Sequence, residues 1–263
     1  MIPKVIHYCW FGRGEKPELV IKCLKSWKEF CPDYQIIEWN EDNYDIASAP
    51  LFVRQALEAK KWAFATDYIR YQLVYEHGGI YLDTDVEVVR CLDSFLSNVA
   101  YFGFQKISNK VNSGLGFGAR KNYFFLHELM KQYEGISFIR QDGTMDITTC
   151  LERELPVFIK HGLLLNGKEQ LLENEIHIYP ADYFSPYDFY TGWMKKTKNT
   201  ASIHWFSASW FDDEQRCNLV KRRRKNRVRF FTRFPVRVGK RLLGQERWEK
   251  LKRLLRRLQI RFR

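Results

Sequence analysis

Two aspartates separated by one residue, Asp83 and Asp85, follow the short apolar run Ile80–Leu82. Side chains two residues apart on a strand point to the same face, so both carboxylates can reach one cation. Mg²⁺ and Mn²⁺ suit such a site, because they take few protein carboxylates and complete their shell with water and phosphate oxygens from a substrate. The spacing therefore predicts a divalent-metal site that serves a phosphorylated substrate. A surface turn with two solvated acids is the alternative.

A second pair of charged residues lies just upstream, in a predicted helix over residues 62–77. Asp67 and Arg70 are one helical turn apart, so both can face the same site. Gly78 and Gly79 fit a helix stop followed by a tight turn. Spacing alone favours a simple surface ion pair, and two side chains that face one binding site are the alternative.

Strands and helices alternate along the first part of the chain. Strands are predicted at residues 4–8, 34–39, 80–89, 99–104 and 115–119, and helices at 17–30, 50–60, 62–77, 123–133 and 151–161. This alternation indicates an α/β domain with a mainly parallel, Rossmann-like sheet. Ligands of such sheets bind at the carboxyl ends of the strands, which is where Asp83 and Asp85 are expected.

Composition indicates a globular protein. Hydrophobic residues make up 45% of the 263 residues and aromatic residues 16%, enough for a packed core in one large or two small domains. Six cysteines are scattered without a Cys-x-x-Cys pair, so we expect reduced thiols rather than a zinc site or a disulfide framework. The N-terminus shows no apolar signal segment, and no run of 18 apolar residues occurs, so we expect a cytoplasmic protein without a membrane span.

Charge is divided unevenly along the chain. Residues 221–263 hold 19 Lys and Arg against two acids, whereas the rest holds 24 basic and 29 acidic residues. We therefore predict a catalytic domain over residues 1–212 and a basic tail over 213–263. Apolar residues recur in the tail at helical spacing, at Trp248, Leu251, Leu255, Leu258 and Phe262. An amphipathic basic helix of this kind favours an anionic membrane surface. Contact with RNA or DNA, a partner helix, and packing on the body are the alternatives.

Three motifs resemble glycosyltransferase family 32 and occur in that family's order. They are the opening Ile2–Trp10, the block Ala65–Asp85 and the late His204–Trp210. The central block also resembles the sugar-binding region of the clostridial glucosylating toxins. The resemblance covers residues 1–212. It implies a GT-A type fold and a metal-dependent retaining glycosyltransferase that uses Mn²⁺ or Mg²⁺.

The resemblance also assigns roles to residues. It implies that Asp85 binds the metal directly and that Asp83 contacts donor ribose or sugar while assisting the metal. Asp67 and Arg70 would grip the donor sugar. Trp10 would stack on the nucleotide base, with a place in the core as the alternative.

Further roles concern residues outside the central block. Asn112 matches a position where the family presents a polar group to donor or acceptor, although Asn-Ser-Gly also suits a plain turn. In the late motif, His204 would complete the metal site, and Ser209 and Trp210 would contact the donor. A core position is the alternative for His204. His7 lies in the first strand, and we expect it to be a buried core residue.

We therefore predict transfer of a hexose or N-acetylhexosamine from a nucleotide-diphosphate sugar, UDP-sugar in preference to GDP-sugar. The acceptor is expected to be a glycan or lipid-linked glycan in polysaccharide, capsule or lipopolysaccharide synthesis, with the enzyme on the inner face of the cell membrane. Nucleic acid is not expected to be a partner. A haloacid-dehalogenase-like phosphatase is one alternative, but Glu87 stands where that class has Thr or Val. A non-catalytic membrane or nucleic-acid adaptor is the other.

Overall fold

The computed structural model describes residues 1–106, 108–207, 214, 217–226, 228, 245–247 and 249–250. The chain divides into two compact units. The first contains Met1–Asp188 and Trp193–Trp210, and the second contains Phe189–Gly192 and Phe211–Arg263. The predicted domain boundary at residues 212 and 213 stays a prediction.

A seven-stranded sheet forms the centre of the first unit, with strand order β2-β1-β3-β6-β5-β8-β7. Its strands are β1 (Val5–Cys9), β2 (Gln35–Trp39), β3 (Gly79–Tyr81), β5 (Ala100–Gly103), β6 (Phe117–Ala119), β7 (Gln170–Leu172) and β8 (Ile176–Tyr179). The pairs β1–β2, β1–β3 and β5–β8 are parallel, while β6 runs antiparallel to β3 and β5, and β7 to β8. Five strands therefore share one direction, which confirms the expected α/β class with a mainly parallel sheet.

The helices cover both faces of this sheet. They are α1 (Glu18–Phe30), α2 (Leu51–Glu58), α3 (Trp62–His77), α4 (Phe124–Met130), α5 (Cys150–Lys160) and α6 (Ala181–Phe184). Side chains alternate across β1: Tyr8 packs edge-on against Trp27 of α1, whereas Cys9 joins the core on the side of α2 and α3. The sequence predicted helices α1 to α5 within a few residues, but not α6, β7 or β8.

Helix α3 ends where the two glycines require it to end. Gly78 and Gly79 have φ of 69° and 110°, the left-handed region that glycine tolerates best. A Cβ at Gly79 would lie 2.7 Å from the carbonyl oxygen of Val5, so a side chain there would push β3 away from β1. The predicted helix stop and tight turn are confirmed.

The predicted continuous strand over residues 80–89 is wrong. Strand β3 ends at Tyr81, and after a turn β4 (Val86–Val88) pairs antiparallel with β9 (Ser202–His204) in a separate two-stranded sheet. The turn closes because the Val86 amide donates to the Asp83 carbonyl at 3.0 Å. Asp83 and Asp85 therefore lie in this turn, and the alternation of side chains on a strand does not describe them.

The described part of the second unit includes a helical segment over residues 217–226, hereafter the basic segment. Its exposed side chains include Lys221, Arg222, Arg224 and Lys225. The Arg223 Nε donates to the carbonyl oxygen of Phe189 at 2.9 Å. The apolar tail positions Trp248, Leu251, Leu255, Leu258 and Phe262 lie outside the described residues. Among the helices that the structure describes, none is long and apolar enough to span a membrane.

Candidate functional site

The turn that carries Asp83 and Asp85 lies at the carboxyl end of β3. The Leu82 amide donates to the His7 carbonyl at 3.1 Å, which is the last link between β3 and β1 before the turn. Strand β6 runs antiparallel, with Phe117 opposite Tyr81, so the loop that precedes β6 arrives at the same edge. Three chain segments therefore meet where α/β sheets bind ligands.

His204 reaches this edge through the second sheet, because β9 pairs with β4 in a register that sets His204 opposite Val86. Its Nε2 lies 3.3 Å from Asp85 Oδ1 and 3.8 Å from Asp83 Oδ2. One ligand atom from each of the three residues falls within 4.8 Å of the others. The structure thus brings together the three predicted metal ligands. The first and the last of them, Asp83 and His204, are 121 positions apart in the sequence.

Backbone amides orient this cluster. The Ser207 amide donates to Asp85 Oδ2 at 2.7 Å, and the Trp205 amide donates to the Asp85 carbonyl at 3.0 Å. The Phe206 amide donates to His204 Nδ1 at 3.1 Å, which turns Nε2 toward the carboxylates. Two carboxylates and an imidazole are oxygen and nitrogen ligands that Mn²⁺ accepts, so the donor set fits a divalent cation.

Opposite charges shift the pKa values in this cluster. Burial alone would lower the pKa of His204, but Asp85 and Asp83 outweigh it and raise that pKa. Burial likewise works to raise the pKa of Asp83, but the Arg70 guanidinium and His204 bring it below its ordinary value. Asp83 therefore stays ionised at neutral pH.

Arg70 joins the metal cluster to α3. It is 3% exposed, and its NH2 lies 2.7 Å from Asp67 Oδ1 and 3.6 Å from Asp83 Oδ1. Its Nε donates to the Thr66 carbonyl at 3.1 Å, and its guanidinium lies 5.3 Å from the centre of the Tyr81 ring. The surface ion-pair interpretation is wrong, because the pair is buried and extends to Asp83.

Asp67 is buried in this arrangement. Burial raises its pKa to about 6, although the Arg70 charge favours the ionised form. Such a carboxylate keeps strong hydrogen-bond acceptor capacity in a dry site, where a polar substrate group gains most from it.

The loop before β6 lies against the carboxylates. The Asn112 Oδ1 accepts from the Gly114 amide at 2.8 Å, and its Nδ2 donates to Gln105 Oε1 at 2.8 Å. A Cβ at Gly114 would lie 2.8 Å from Asp83 Oδ2 and 3.3 Å from Arg70 NH1. Asn112 therefore shapes the turn that lets Gly114 approach Asp83, and its contact with a donor stays a prediction.

Trp10 follows β1 at this edge of the sheet and is partly buried. Its indole Nε1 donates to the Gly14 carbonyl at 2.8 Å, and Lys16 Nζ lies 5.5 Å from its ring centre. His7 is fully buried, with Nε2 2.9 Å from the Gly78 carbonyl and Nδ1 accepting from Trp39 Nε1 at 3.1 Å. Desolvation lowers the pKa of His7 to about 4, consistent with the expected core residue. Ser209 and Trp210 lie outside the described residues.

Three buried residues near Arg70 were missed by sequence reasoning. Glu154 Oε2 accepts from the Tyr71 hydroxyl at 2.7 Å, and the Tyr71 hydroxyl lies 2.8 Å from Ser113 Oγ. The available signal was an acid on an apolar helical face, since Cys150, Glu154 and Val157 are spaced by four and three residues. The partners of Glu154 could not be inferred, because α3 and α5 are far apart in sequence.

Comparison with known proteins relates this chain to glycosyltransferases. Residues 17–101 match the family model described as glycosyltransferase sugar-binding region containing DXD motif. Inositol phosphoceramide mannosyltransferase 3 of Schizosaccharomyces pombe is 31% identical over 140 residues, which are 52% of this chain and 38% of that protein. Uncharacterized glycosyltransferase L373 of Acanthamoeba polyphaga mimivirus is 29% identical over 201 residues, 72% of this chain and 75% of that protein.

Among solved structures, the PaToxG glycosyltransferase aligns with this chain at a TM-score of 0.44 and 18% sequence identity. The alignment covers 60% of this chain and 67% of the PaToxG chain. The expected resemblance to glycosyltransferase family 32 is confirmed by the family match. The matched region and the relatives support the predicted enzyme class, a glycosyltransferase. The predicted α/β class with a mainly parallel sheet is confirmed, and the GT-A type of the fold stays a prediction. The phosphatase and the non-catalytic adaptor are therefore not retained.

Proposed function

We propose that this protein is a glycosyltransferase of family 32. It would transfer a hexose or N-acetylhexosamine from a nucleotide-diphosphate sugar to a hydroxyl of a glycan or lipid-linked acceptor, with a divalent cation. One observation carries the proposal. The Asp83–Asp85–His204 cluster is continuous, through Asp83, with the buried Arg70–Asp67 pair. A metal–diphosphate site and a sugar site at these residues would therefore adjoin each other, as a nucleotide-sugar donor requires.

Asp85, His204 and Asp83 would hold the cation. Asp85 would be the direct ligand. One of its oxygens faces His204 Nε2 while the other is held by the Ser207 amide, which supports this role. When bound, Mn²⁺ or Mg²⁺ would offset the charge that develops on the departing diphosphate. Asp83 lies between the cation site and Arg70, so it orients both.

Arg70 and Asp67 would bind the transferred sugar. The guanidinium fork can donate to a phosphate or sugar oxygen while keeping its bond to Asp67. Asp67 can accept a hydrogen bond from a sugar hydroxyl. Because both side chains are buried in the protein, these bonds form at low dielectric and discriminate strongly between sugars.

In the proposed reaction the bond from the anomeric carbon to the diphosphate oxygen breaks, and a bond from that carbon to the acceptor oxygen forms. The acceptor proton passes to the departing diphosphate. Attack on the face from which the diphosphate leaves would retain the anomeric configuration, as the family resemblance implies. No protein nucleophile is needed for this step.

Trp10 is proposed to stack on the nucleotide base. Its position after β1, at the edge of the sheet that carries Asp83, supports this role. Replacement of Trp10 by alanine should weaken nucleoside diphosphate binding by about 1–3 kcal/mol, while Trp10→Phe retains part of the stacking. Calorimetry with UDP and GDP in Mn²⁺ measures both. Equal affinity for wild type and Trp10→Ala would contradict the stacking role.

The mannosyltransferase relative bears on donor and acceptor. Its name specifies mannose and an inositol phosphoceramide, whereas we predicted a UDP-sugar and a glycan of polysaccharide, capsule or lipopolysaccharide. We propose that mannose donors belong in the first screen. A lipid-linked acceptor is common to both views.

The basic segment supports the predicted contact with an anionic membrane surface. Lys221, Arg222, Arg224 and Lys225 are exposed on a helical segment, where they can approach lipid phosphates. Such a contact would bring the enzyme to a lipid-linked acceptor and would keep it at the inner face of the membrane.

A donor screen tests the proposed function. UDP- and GDP-sugars are incubated with Mn²⁺, and sugar release or transfer is measured for wild type and Asp85→Asn. We expect one donor class to be consumed only with the metal and only by wild type. Asp33→Asn is the matched control, because Asp33 forms an exposed ion pair with Lys4 away from the site. Full activity in a chelator, or in Asp85→Asn, would contradict the proposal.

A further inference from the structure

A buried carboxylate that the proposed reaction does not use lies behind the sugar site. Glu154, on α5, is 1% exposed. Its Oε2 accepts from the Tyr71 hydroxyl at 2.7 Å, and its Oε1 accepts from the Ser113 amide at 3.3 Å. A buried carboxylate is costly unless it is well partnered, so these bonds mark a demanding position in the protein.

The contacts form a chain with a defined direction. Tyr71 has one hydroxyl proton, and when Glu154 is ionised this proton is donated in the hydrogen bond to the Glu154 carboxylate. Ser113 must then donate to the Tyr71 oxygen, at 2.8 Å. The Ser113 oxygen is left to accept from Arg70 NH1, which lies 3.5 Å away. The direction thus runs from Arg70 through Ser113 and Tyr71 to Glu154.

The same carboxylate also holds the loop of residues 112–114. Its bond to the Ser113 amide fixes the backbone one residue before Gly114. Gly114 in turn approaches Asp83 so closely that a Cβ there would lie 2.8 Å from Asp83 Oδ2. Glu154 therefore reaches both Arg70 and Asp83 through Ser113.

We propose that Glu154 is a positioning residue that sets the orientation of Arg70 and of the 112–114 loop for binding the transferred sugar. This inference rests on the proposed function, because Arg70 is taken to bind the donor. Burial raises the pKa of Glu154 to about 7, so its carboxylate is retained at an electrostatic cost. A neutral side chain at position 154 could link α5 to α3 by a hydrogen bond without that cost.

Two variants remove the directed chain at different points, Glu154→Gln at its end and Tyr71→Phe in its middle. Glutamine keeps the shape, but its amide cannot accept from both Tyr71 and the Ser113 amide. Glu152→Gln is the matched control on the same helix. Glu152 belongs to the capping box with Thr149, and glutamine serves equally well in that position.

Binding is measured by calorimetry in Mn²⁺ with UDP-glucose and GDP-mannose, each compared with UDP or GDP alone. We expect both variants to lower the affinity for the nucleotide sugar that wild type binds by tenfold or more. The affinity for the matching nucleoside diphosphate should fall by less than twofold. The double variant should bind the nucleotide sugar no more weakly than the weaker-binding single variant, because both substitutions break the same hydrogen-bonded chain. Equal losses for sugar nucleotide and diphosphate, or additive effects, would overturn the inference.

A second readout needs no donor. In ¹⁵N-labelled full-length protein, the Arg70 Nε–H resonance should shift in Glu154→Gln and in Tyr71→Phe, and not in Glu152→Gln. An unmoved resonance overturns the inference, and Tyr71→Phe carries the test if Glu154→Gln does not fold. Wild type that binds neither sugar nucleotide would contradict the proposed function, and the resonance would still decide the role of Glu154.

Discussion

His204 Nε2 lies 3.3 Å from Asp85 Oδ1 because β9 pairs with β4 in a register that puts His204 opposite Val86. The two residues are brought together by a two-stranded sheet that is separate from the main sheet. The metal cluster therefore depends on the return of the chain after residue 200 as much as on the turn after β3.

Removal of His204 should weaken the metal site without abolishing it. We expect His204→Ala to raise the Mn²⁺ concentration needed for half-maximal activity by about 10–100-fold, because one of three ligands is lost. Asp85→Asn should lower kcat/KM by about 10²–10³ even at saturating Mn²⁺, since the charge on the diphosphate is less well offset. Metal titrations of activity measure both. Unchanged Mn²⁺ dependence in His204→Ala would remove His204 from the ligand set.

Arg70→Lys should fail to replace arginine. A lysine cannot bond Asp67 and approach Asp83 together, because its ammonium is a point charge without the guanidinium fork. We expect a loss of about 1.5–3 kcal/mol in transition-state stabilisation, the scale of charge-assisted hydrogen bonds. Arg120→Lys is the control, since Arg120 forms an exposed ion pair with Glu175 at 4.0 Å. Equal kcat/KM for Arg70→Lys and wild type would contradict the role.

Gly114→Ala should damage activity more than stability. The added methyl group would lie 2.8 Å from Asp83 Oδ2, so the carboxylate must move away from the loop and from its place beside Arg70. We expect kcat/KM to fall at least tenfold while the melting temperature changes by a few degrees. Activity and thermal unfolding of the same preparation measure the two effects. A large loss of stability with unchanged specific activity would contradict this prediction.

Glu154 should make stability depend on pH. Its pKa is raised from 4.5 to about 7 in the folded protein, so between these values the unfolded chain has lost a proton that the folded protein keeps. Stability from this group is therefore complete below pH 4.5, declines as pH rises, and levels off above 7. The total decline is about 3 kcal/mol at most, at 1.36 kcal/mol per unit.

Glu154→Gln cannot titrate, so it should gain stability relative to wild type between pH 5 and pH 8. Urea unfolding of both proteins at the two pH values measures that difference. The raised pKa of Asp67, about 6, acts in both proteins and cancels. A difference between wild type and Glu154→Gln that is constant with pH would contradict the assignment.

The tail should bind anionic membranes through its charge. Replacing Lys221, Arg222, Arg224 and Lys225 by glutamine removes about 1 kcal/mol of attraction for each residue near the surface. Co-sedimentation with phosphatidylserine and with neutral phosphatidylcholine vesicles, at low and high salt, measures this attraction. Leu255→Asp, at a position predicted from sequence spacing, tests insertion of the apolar face. Equal and negligible binding of the full-length protein to both vesicle types would contradict a membrane role.

The sequence alone was sufficient for the local features of this protein. Apolar periodicity predicted α1 to α5 and most strands of the main sheet, and paired glycines predicted the end of α3, because these features depend on neighbouring residues. The motif residues Asp67, Arg70, Asp83 and Asp85 were identified for the same reason. Their spacing is short, and one helix and one turn present them.

Tertiary structure decided what lies between distant segments. The break after Tyr81 could not be predicted, since Val86 and Val88 alternate with Glu87 as in a strand and are compatible with one long strand over residues 80–89. Only pairing with β9 separates β3 from β4. The place of His204 depends on that same pairing. Glu154 is one acid among many in the sequence, and only the packing of α5 against α3 and the 112–114 loop buries it beside Tyr71 and raises its pKa. Burial and long-range register are properties of the whole fold, so no local pattern of residues could determine them.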